Sequence, residues 1–469
     1  MPPPAGARSS CAALCTFLVL CACTGCGQGA TPETPSSHQL SLRPDLGSGA
    51  GAIKHIVLVI QENRTFDNLF ATFPGADGAT EGLLKLPSGG HIVIPLRPTN
   101  LVERCDFGHG YKGYLKDYDG GAMDGFNTEG GGKPCPGPTG TKTYQYVTPQ
   151  QIAPYWSIAQ QYVLADHMFT TQGSGSFTNH QDLIAGATFL DKARTKTLVD
   201  FPSRKPWGCN GKDGTVTSFL QAKQTGLKYQ YRKGPFPCMR YQTLRDLLDA
   251  NGTSWTYYSP PSQGGTGAVW NAFDAIEAVR DGPQWRTNVA PTRNFFYDVT
   301  NQRLPAMSWI VPDLLDSDHP GTVSDTGPSW VASIVNAVGQ SPYWNTTAVI
   351  IVWDDWGGFY DHVPPPFQDQ WGGLGFRVPM LIVAPYARRG GSSQGGYISS
   401  TQYEFGSILK FIETVFDLGS LGTTDVRATS IIDCFDFTQP RRRFTKIPSQ
   451  YSRSYFLHRP PSNLPVDTE

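Results

Sequence analysis

Two acidic couplets stand directly after long apolar runs in this 469-residue chain. Glu62-Asn63 follows the run Ile53 to Ile60 through Gln61, and Asp354-Asp355 follows the run Thr346 to Trp353 and leads into Trp356-Gly357-Gly358. Three carboxylates and an amide oxygen form a hard, oxygen-rich donor set suited to a divalent cation: magnesium, calcium or manganese, with zinc admissible in a mixed set. Taken singly, Asn63 or Asp355 reads more readily as the cap of a following helix or turn than as a ligand. Two couplets at two strand ends favour the cation, because close carboxylates repel unless something neutralises them. A third segment, Thr171 to His180 (TQGSGSFTNH), offers Ser174 and Ser176 in a Gly-rich turn. A serine oxygen beside a metal becomes a nucleophile near neutral pH, and composition does not separate the two serines. His109, His319 and His362 sit in polar loops and could donate to an oxyanion, while His180 could cap a helix and His55, inside the first run, reads as structural.

The elements that must hold these residues are legible in outline. Ile53 to Ile60, Thr346 to Trp353 and Val378 to Ala384 are nearly continuous β-branched and apolar runs of strand length, the pattern of strands covered on both faces. Weaker strand candidates are Tyr162 to Ala165, Ser254 to Tyr258 and Ala306 to Val311. Amphipathic helices are expected through Val331, Ile334, Val335 and Val338, between Pro328 and Gly339, and over Gln402 to Phe416. Leu244, Leu247 and Leu248 make a shorter stripe stopped by Asn251-Gly252. Buried strands alternating with such helices imply an α/β sandwich with a mostly parallel sheet, whose ligands gather beyond the carboxyl ends of the strands. Successive strand residues point to opposite faces, so each couplet can converge on one ion only where its strand has turned into loop. Gly357-Gly358 permits such a turn. Residues 74–154 and 191–240 read as insertions near the site.

Lys plus Arg number 38 against 39 for Asp plus Glu, a net charge of -1, which gives no footprint for a nucleic-acid partner. Residues 1–26, with Arg8 and an apolar run from Cys11 to Cys23, read as an export signal. Thr24-Gly25-Cys26, or alternatively Leu20-Cys21-Ala22-Cys23, has the form of a lipoprotein cleavage site, so membrane attachment through an N-terminal lipid is one expectation. The location expected is periplasmic, cell-surface or extracellular. Residues 27–51 read as a flexible linker, 52–440 as the catalytic domain and 441–469 as a C-terminal extension. Of ten cysteines, Cys105, Cys135, Cys209, Cys238 and Cys434 lie beyond the signal, and an exported chain tends to pair most of them. Neighbour pairing would close two Gly/Pro-rich loops and leave Cys434 free, though sequence alone leaves the connectivity open.

Several stretches together resemble a bacterial phosphoesterase family that unites non-haemolytic phospholipases C with respiratory-burst-inhibiting acid phosphatases. They are IKHIVLVIQENRTFDNLF (53–70), GSFTNHQ (175–181), DSDHP (316–320), DDWGGFYDHVPPP (354–366) and FRVPMLIVAPYAR (376–388). The resemblance implies an alkaline-phosphatase-like α/β/α core with long loop insertions. It implies Glu62, Asn63, Asp354 and Asp355 as metal ligands, Ser176 as the phosphorylated nucleophile, and His109 and His319 against the phosphoryl group. Because Ser176 stands in Gly-Ser-Phe-x-Asn-His rather than a Gly-Pro-Thr setting, the chain is more similar to the acid-phosphatase branch, which implies phosphate monoesters as substrates. Phospholipid diesters are the alternative, and a surface-anchored binding protein without turnover is a further one.

Overall fold

The computed structural model describes residues 49–132, 135–221, 230–261, 266–366, 373–391 and 395–464. The expected signal and nearly all of the expected linker fall outside these residues. The two strongest apolar runs form strands β1 (His55–Gln61) and β6 (Thr347–Trp353), and every residue of β6 is buried. The weaker candidates are strands too: β2 (Val163–Ala165), β3 (Trp255–Ser259) and β5 (Met307–Ile310). The third strong run gives β7 (Met380–Val383). Two three-residue edge strands, β4 (Val289–Pro291) and β8 (Tyr397–Ser399), complete one eight-stranded sheet of order β4-β3-β5-β1-β6-β7-β2-β8. All neighbours pair in parallel except at β7, which is antiparallel to both β6 and β2. The chain is thus an α/β protein with a mostly parallel central sheet.

The helices include α1 (Phe66–Phe70), α2 (Tyr111–Tyr118), α3 (Ala153–Gln161), α4 (Ser176–Ala185), α5 (Leu244–Ala250), α6 (Gly327–Gly339) and α7 (Phe405–Phe416). Helix α3 packs on α6 and on β2, β7 and β8, whereas α4 packs on α5 and α7. The central strands are buried on both faces, as their continuous apolar sequence requires. Helix α6 begins with Pro328 in its first turn, and α5 carries a capping box made by Thr243 and Asp246. Helix α7 starts three residues later than its apolar spacing suggests, because Tyr403–Glu404 pairs as a short strand with Met168–Phe169. A capping box of Glu404 with Ser407 then fixes the start.

The insertions carry structure of their own. Residues 74–154 hold a hairpin, Glu81–Lys85 with His91–Pro95, and helix α2. Residues 191–240 hold a small antiparallel sheet. Disulfides Cys105–Cys135 and Cys209–Cys238 tie these loops, and Cys434 is free and buried. Two disulfides suit an oxidising compartment. Residues beyond 440 dock on the body: Asn336 exchanges side-chain hydrogen bonds with both backbone groups of Ile447. Among the described residues no helix is long and apolar enough to cross a membrane.

Candidate active site

The register of the central strands brings the two couplets together. Gln61 lies opposite Trp353 in the parallel β1–β6 pair, so the next residues, Glu62 and Asp354, leave neighbouring strands side by side. The Asp354 amide still donates to Gln61 O (2.9 Å), and the chains part beyond it. Asn63 adopts a left-handed backbone conformation (φ 61°), which ends the alternation of faces and turns its side chain toward that of Glu62. On the other strand the turn is made by Gly357 (φ 58°) and Gly358 (φ 74°). A Cβ on Gly357 would stand 2.3 Å from Asn63 O, so no other residue fits the close approach of the two loops.

Ser176 is the first residue of α4 and points into this junction. Its hydroxyl donates to Asp355 Oδ2 (3.2 Å) and lies 3.4 Å from Asn63 Oδ1. Ser174 is turned away: its hydroxyl accepts from the Asp200 amide (2.7 Å). One helical turn after Ser176, on the same face, His180 Nε2 meets Glu62 Oε1 at 2.8 Å and Asp354 Oδ2 at 3.7 Å. By sequence His180 reads as a helix cap, whereas the fold sets it against the acidic couplets. The spacing Ser176-x-x-x-His180 on one helix is the signal for that position.

Asn63 sits at the centre of the cluster. Its Oδ1 faces Glu62 Oε2 and Asp354 Oδ1, each at 3.1 Å, while Nδ2 faces His109 Nε2 (2.8 Å) and His319 Nε2 (3.2 Å). Turned over, the amide could donate to the carboxylates and accept from the imidazoles. That arrangement needs Nε2–H on both rings. Each ring already has Nδ1 against a carbonyl, of Phe107 (2.7 Å) and of Pro320, so both would have to be imidazolium. Burial, aided by neighbouring His109, pushes His319 down to about 3, so its neutral form is the stable one and Nε2 is an acceptor. The amide nitrogen therefore belongs with the imidazoles, and Oδ1 is left among carboxylate oxygens. A divalent cation would satisfy that oxygen, as would a proton on the buried Glu62 carboxyl.

Electrostatics lead to the same place. Glu62, Asn63, Asp354 and Asp355 are all fully buried. Burial, with the charges of Asp354 and Asp355 next, drives the Glu62 carboxyl well above its ordinary range. Among the described residues neither Glu62 nor Asp354 has a Lys or Arg partner; their ion-pair partner is His180, which burial lowers to about 4 and so keeps neutral. The donor set of oxygens with one nearby imidazole suits a divalent ion.

The support around the cluster uses Arg64 and Asp318, residues inside the stretches 53–70 and 316–320 to which sequence alone assigns no role. Arg64, buried, donates to Asp318 O (2.8 Å), Asn68 Oδ1 (3.0 Å) and Leu101 O (2.8 Å), tying the first loop to the segment that carries His319. Asp318 Oδ2 accepts from the Tyr155 hydroxyl (2.8 Å) and Trp353 Nε1 (3.0 Å). Trp270 stacks on the His319 ring with centroids 5.8 Å apart. All seven residues singled out as ligands or reacting groups therefore meet at one point: Glu62, Asn63, His109, Ser176, His319, Asp354 and Asp355. His362 does not join them; it bonds Asp67 Oδ2 (2.7 Å) in a separate network around Arg377. His55 is structural, with Nδ1 on Pro305 O (2.9 Å).

A family model described as the Phosphoesterase family matches residues 53–419. The chain is 26% identical over 476 residues to a non-hemolytic phospholipase C of Burkholderia pseudomallei, covering 88% of this chain and 63% of that protein. It is also 26% identical over 443 residues to phospholipase C A of Mycobacterium tuberculosis, covering 83% and 78%. The chain thus spans less than two thirds of the first relative's length. Among solved structures, a protein in the alkaline phosphatase superfamily from Vibrio parahaemolyticus aligns over 81% of this chain and 72% of its own, at 9% identity and TM-score 0.37.

Proposed function

The chain belongs to the Phosphoesterase family, and on that premise we propose an exported, metal-dependent hydrolase that cleaves the head-group phosphoester of a phospholipid, with Ser176 as the attacking group. The observation that carries the reading is the Ser176 hydroxyl held beside the buried side-chain oxygens of Asn63 and Asp355, next to Glu62 and Asp354. The names of the relatives favour phospholipid diesters over the phosphate monoesters that the Ser176 motif put first. Monoester hydrolysis stays as the second reading because Ser176 stands in the Gly-Ser-Phe-x-Asn-His setting that favours it.

A divalent ion held by Glu62, Asn63, Asp354 and Asp355 would supply Lewis-acid polarisation and favour the serine alkoxide. The protein's own groups do the rest. The hydrogen bond to Asp355 Oδ2 orients the Ser176 hydroxyl and gives its proton somewhere to go. Ser176 Oγ forms the new bond to phosphorus as the bond to the departing diglyceride oxygen breaks; water then attacks the serine-bound phosphorus and releases the phosphorylated head group. Helix α4 starts at Ser176 without a side-chain cap, so its first amides favour the anionic phosphoryl group. His109 and His319 present Nε2 as acceptors, set to take a proton rather than give one. His319 can protonate the departing alcohol only after gaining a proton, which an anionic phosphoryl beside it favours.

A panel comparing a phosphocholine diester with an aryl phosphate, on metal-stripped protein with each ion restored separately, tests the reading. Diester turnover that returns with an ion and vanishes in a folded Ser176→Ala variant is expected. Turnover of the monoester alone would move the assignment to the second reading, and a folded Ser176→Ala protein with near wild-type turnover would remove the nucleophile.

A further inference from the structure

The carboxyl edge of strands β3, β4 and β5 carries a second concavity. A cavity of about 200 Å³ lies between Pro260-Pro261, Thr292, Phe296 and Trp330 on the body and Phe456 and Leu457 on the C-terminal segment. A neighbouring cavity of about 190 Å³ shares Pro260, Pro261 and Pro291 and continues along Asn271 and Trp285. Both follow the ends of strands on the β1 side of the sheet, the position at which α/β sheets take ligands.

The walls mix Pro, Phe, Trp and Leu side chains with polar groups, and apart from Arg293, exposed at the rim, those polar groups are largely engaged. Asp316 Oδ2 pairs with Arg459 (2.9 Å) and Oδ1 accepts from Thr326 (3.2 Å). Asp313 accepts from the Ser462 amide (2.9 Å), and Asn271 donates to Ser259 Oγ (3.0 Å). Inside the rim occupied by Arg293 the unengaged wall is hydrocarbon, and a cavity of this size holds groups at least as large as benzene. Two links join the concavity to the reacting groups. The Asp316 carbonyl accepts from Gln61 Nε2 (3.1 Å), next to Glu62, and the same segment ends at His319. Trp270, stacked on His319, is followed by Asn271 on the cavity wall.

We propose that these paired cavities, closed on one side by the C-terminal segment, hold the hydrocarbon chains of the alcohol released by cleavage. The assignment rests on the phospholipid reading and deepens it: the head group stays at Ser176 and His319 while the chains run along Pro260-Pro261 beneath Phe456 and Leu457. Specificity for chain length then resides in residues distant from the chemistry.

The test uses the full chain and two variants, Thr292→Trp, which fills the cavity, and Leu457→Glu, which places a charge on a half-buried part of its wall. Substrates are dibutyroyl- and dioctanoyl-phosphatidylcholine below their micellar concentrations, with p-nitrophenyl phosphorylcholine as a chainless control. Wild type should prefer the longer chains, and each variant should lose at least about tenfold in kcat/KM on dioctanoyl substrate through KM, with the chainless substrate unchanged. Calorimetric binding of dioctanoylglycerol should be lost in Thr292→Trp. An unchanged chain-length preference in both variants overturns the cavity while leaving the phospholipid reading intact. Cavity-dependent dioctanoylglycerol binding without cleavage of either lipid overturns the phospholipid reading, and with it the assignment of the cavity to substrate.

Discussion

Asp318 offers a quantitative test of how the His319 segment is held. Its carboxyl is fully buried, with Oδ2 bonded to Tyr155 and Trp353, and burial, only partly offset by Arg64, pushes it up to about 6. A carboxyl raised in the folded state stabilises the fold fully below its unfolded value and loses that contribution as pH rises through the folded one. From an unfolded value of about 3.9 to a folded value of about 6, the loss amounts to about 3 kcal/mol at neutral pH. Asp318→Asn keeps the acceptor for Tyr155 and Trp353 but has no charge to desolvate. The variant should therefore gain stability relative to wild type by about 2 kcal/mol between about pH 4.5 and about pH 7.5, by the same linkage. Urea unfolding followed by fluorescence at both pH values measures the difference directly. A gap between variant and wild type that stays constant over that range would refute the account, since a pH-independent effect is packing and not ionisation.

The geometry sets four other outcomes. Gly357→Ala should unfold more easily and lose on the order of 100-fold in kcat/KM, because its Cβ must displace Asn63; full activity would show that the loop has room. His180→Gln should weaken metal binding by about 10 to 100-fold in a titration with the ion, as loss of a group contacting the ligands does, and an unchanged affinity would relegate His180 to packing. Arg377→Met should cost about 3 to 5 kcal/mol in denaturant unfolding because Asp67 and Asp361 stay buried without the guanidinium that neutralises them. Replacing both Cys209 and Cys238 by Ser, which opens a loop of sequence separation 29, should cost about 3 to 4 kcal/mol in the same assay.

The parts of the fold readable from sequence are those whose physics is local. Continuous apolar runs announce β1, β6 and β7, and Pro328 and Asn251-Gly252 mark where α6 begins and α5 stops. Edge strands β4 and β8 have three residues each and, unlike the equally short β2, no uninterrupted run of buried apolar residues to mark them. The reversal of β7 is a property of the connection and not of its own residues. In the site, strand-end position suffices for Glu62 and Asp354, but Asn63 reaches the same point only through a backbone conformation that its sequence does not demand. The choice of Ser176 over Ser174 depends on where α4 starts, and the Gly-rich turn obscures that boundary.

A second acidic cluster in the same loops argues most directly for the cation. Asp67 follows β1 as Glu62 does, and Asp361 follows β6 as Asp354 does; both are fully buried. That pair is neutralised from within: Arg377 reaches Asp361 at 2.8 Å and Asp67 at 3.3 Å, and His362 adds a contact to Asp67 at 2.7 Å. Desolvating two carboxylates is tolerated there because a fixed guanidinium lies between them. Among the described residues Glu62 and Asp354, a few residues nearer the strands, have His180 as their ion-pair partner, a ring whose burial keeps it uncharged. One fold thus treats two acid pairs differently, giving one a permanent positive charge and leaving the other, among the described residues, without a Lys or Arg, an arrangement suited to a cation from solution. A site that takes its charge from an ion keeps coordination positions for a substrate oxygen and for Ser176, which a side chain in the same place would fill.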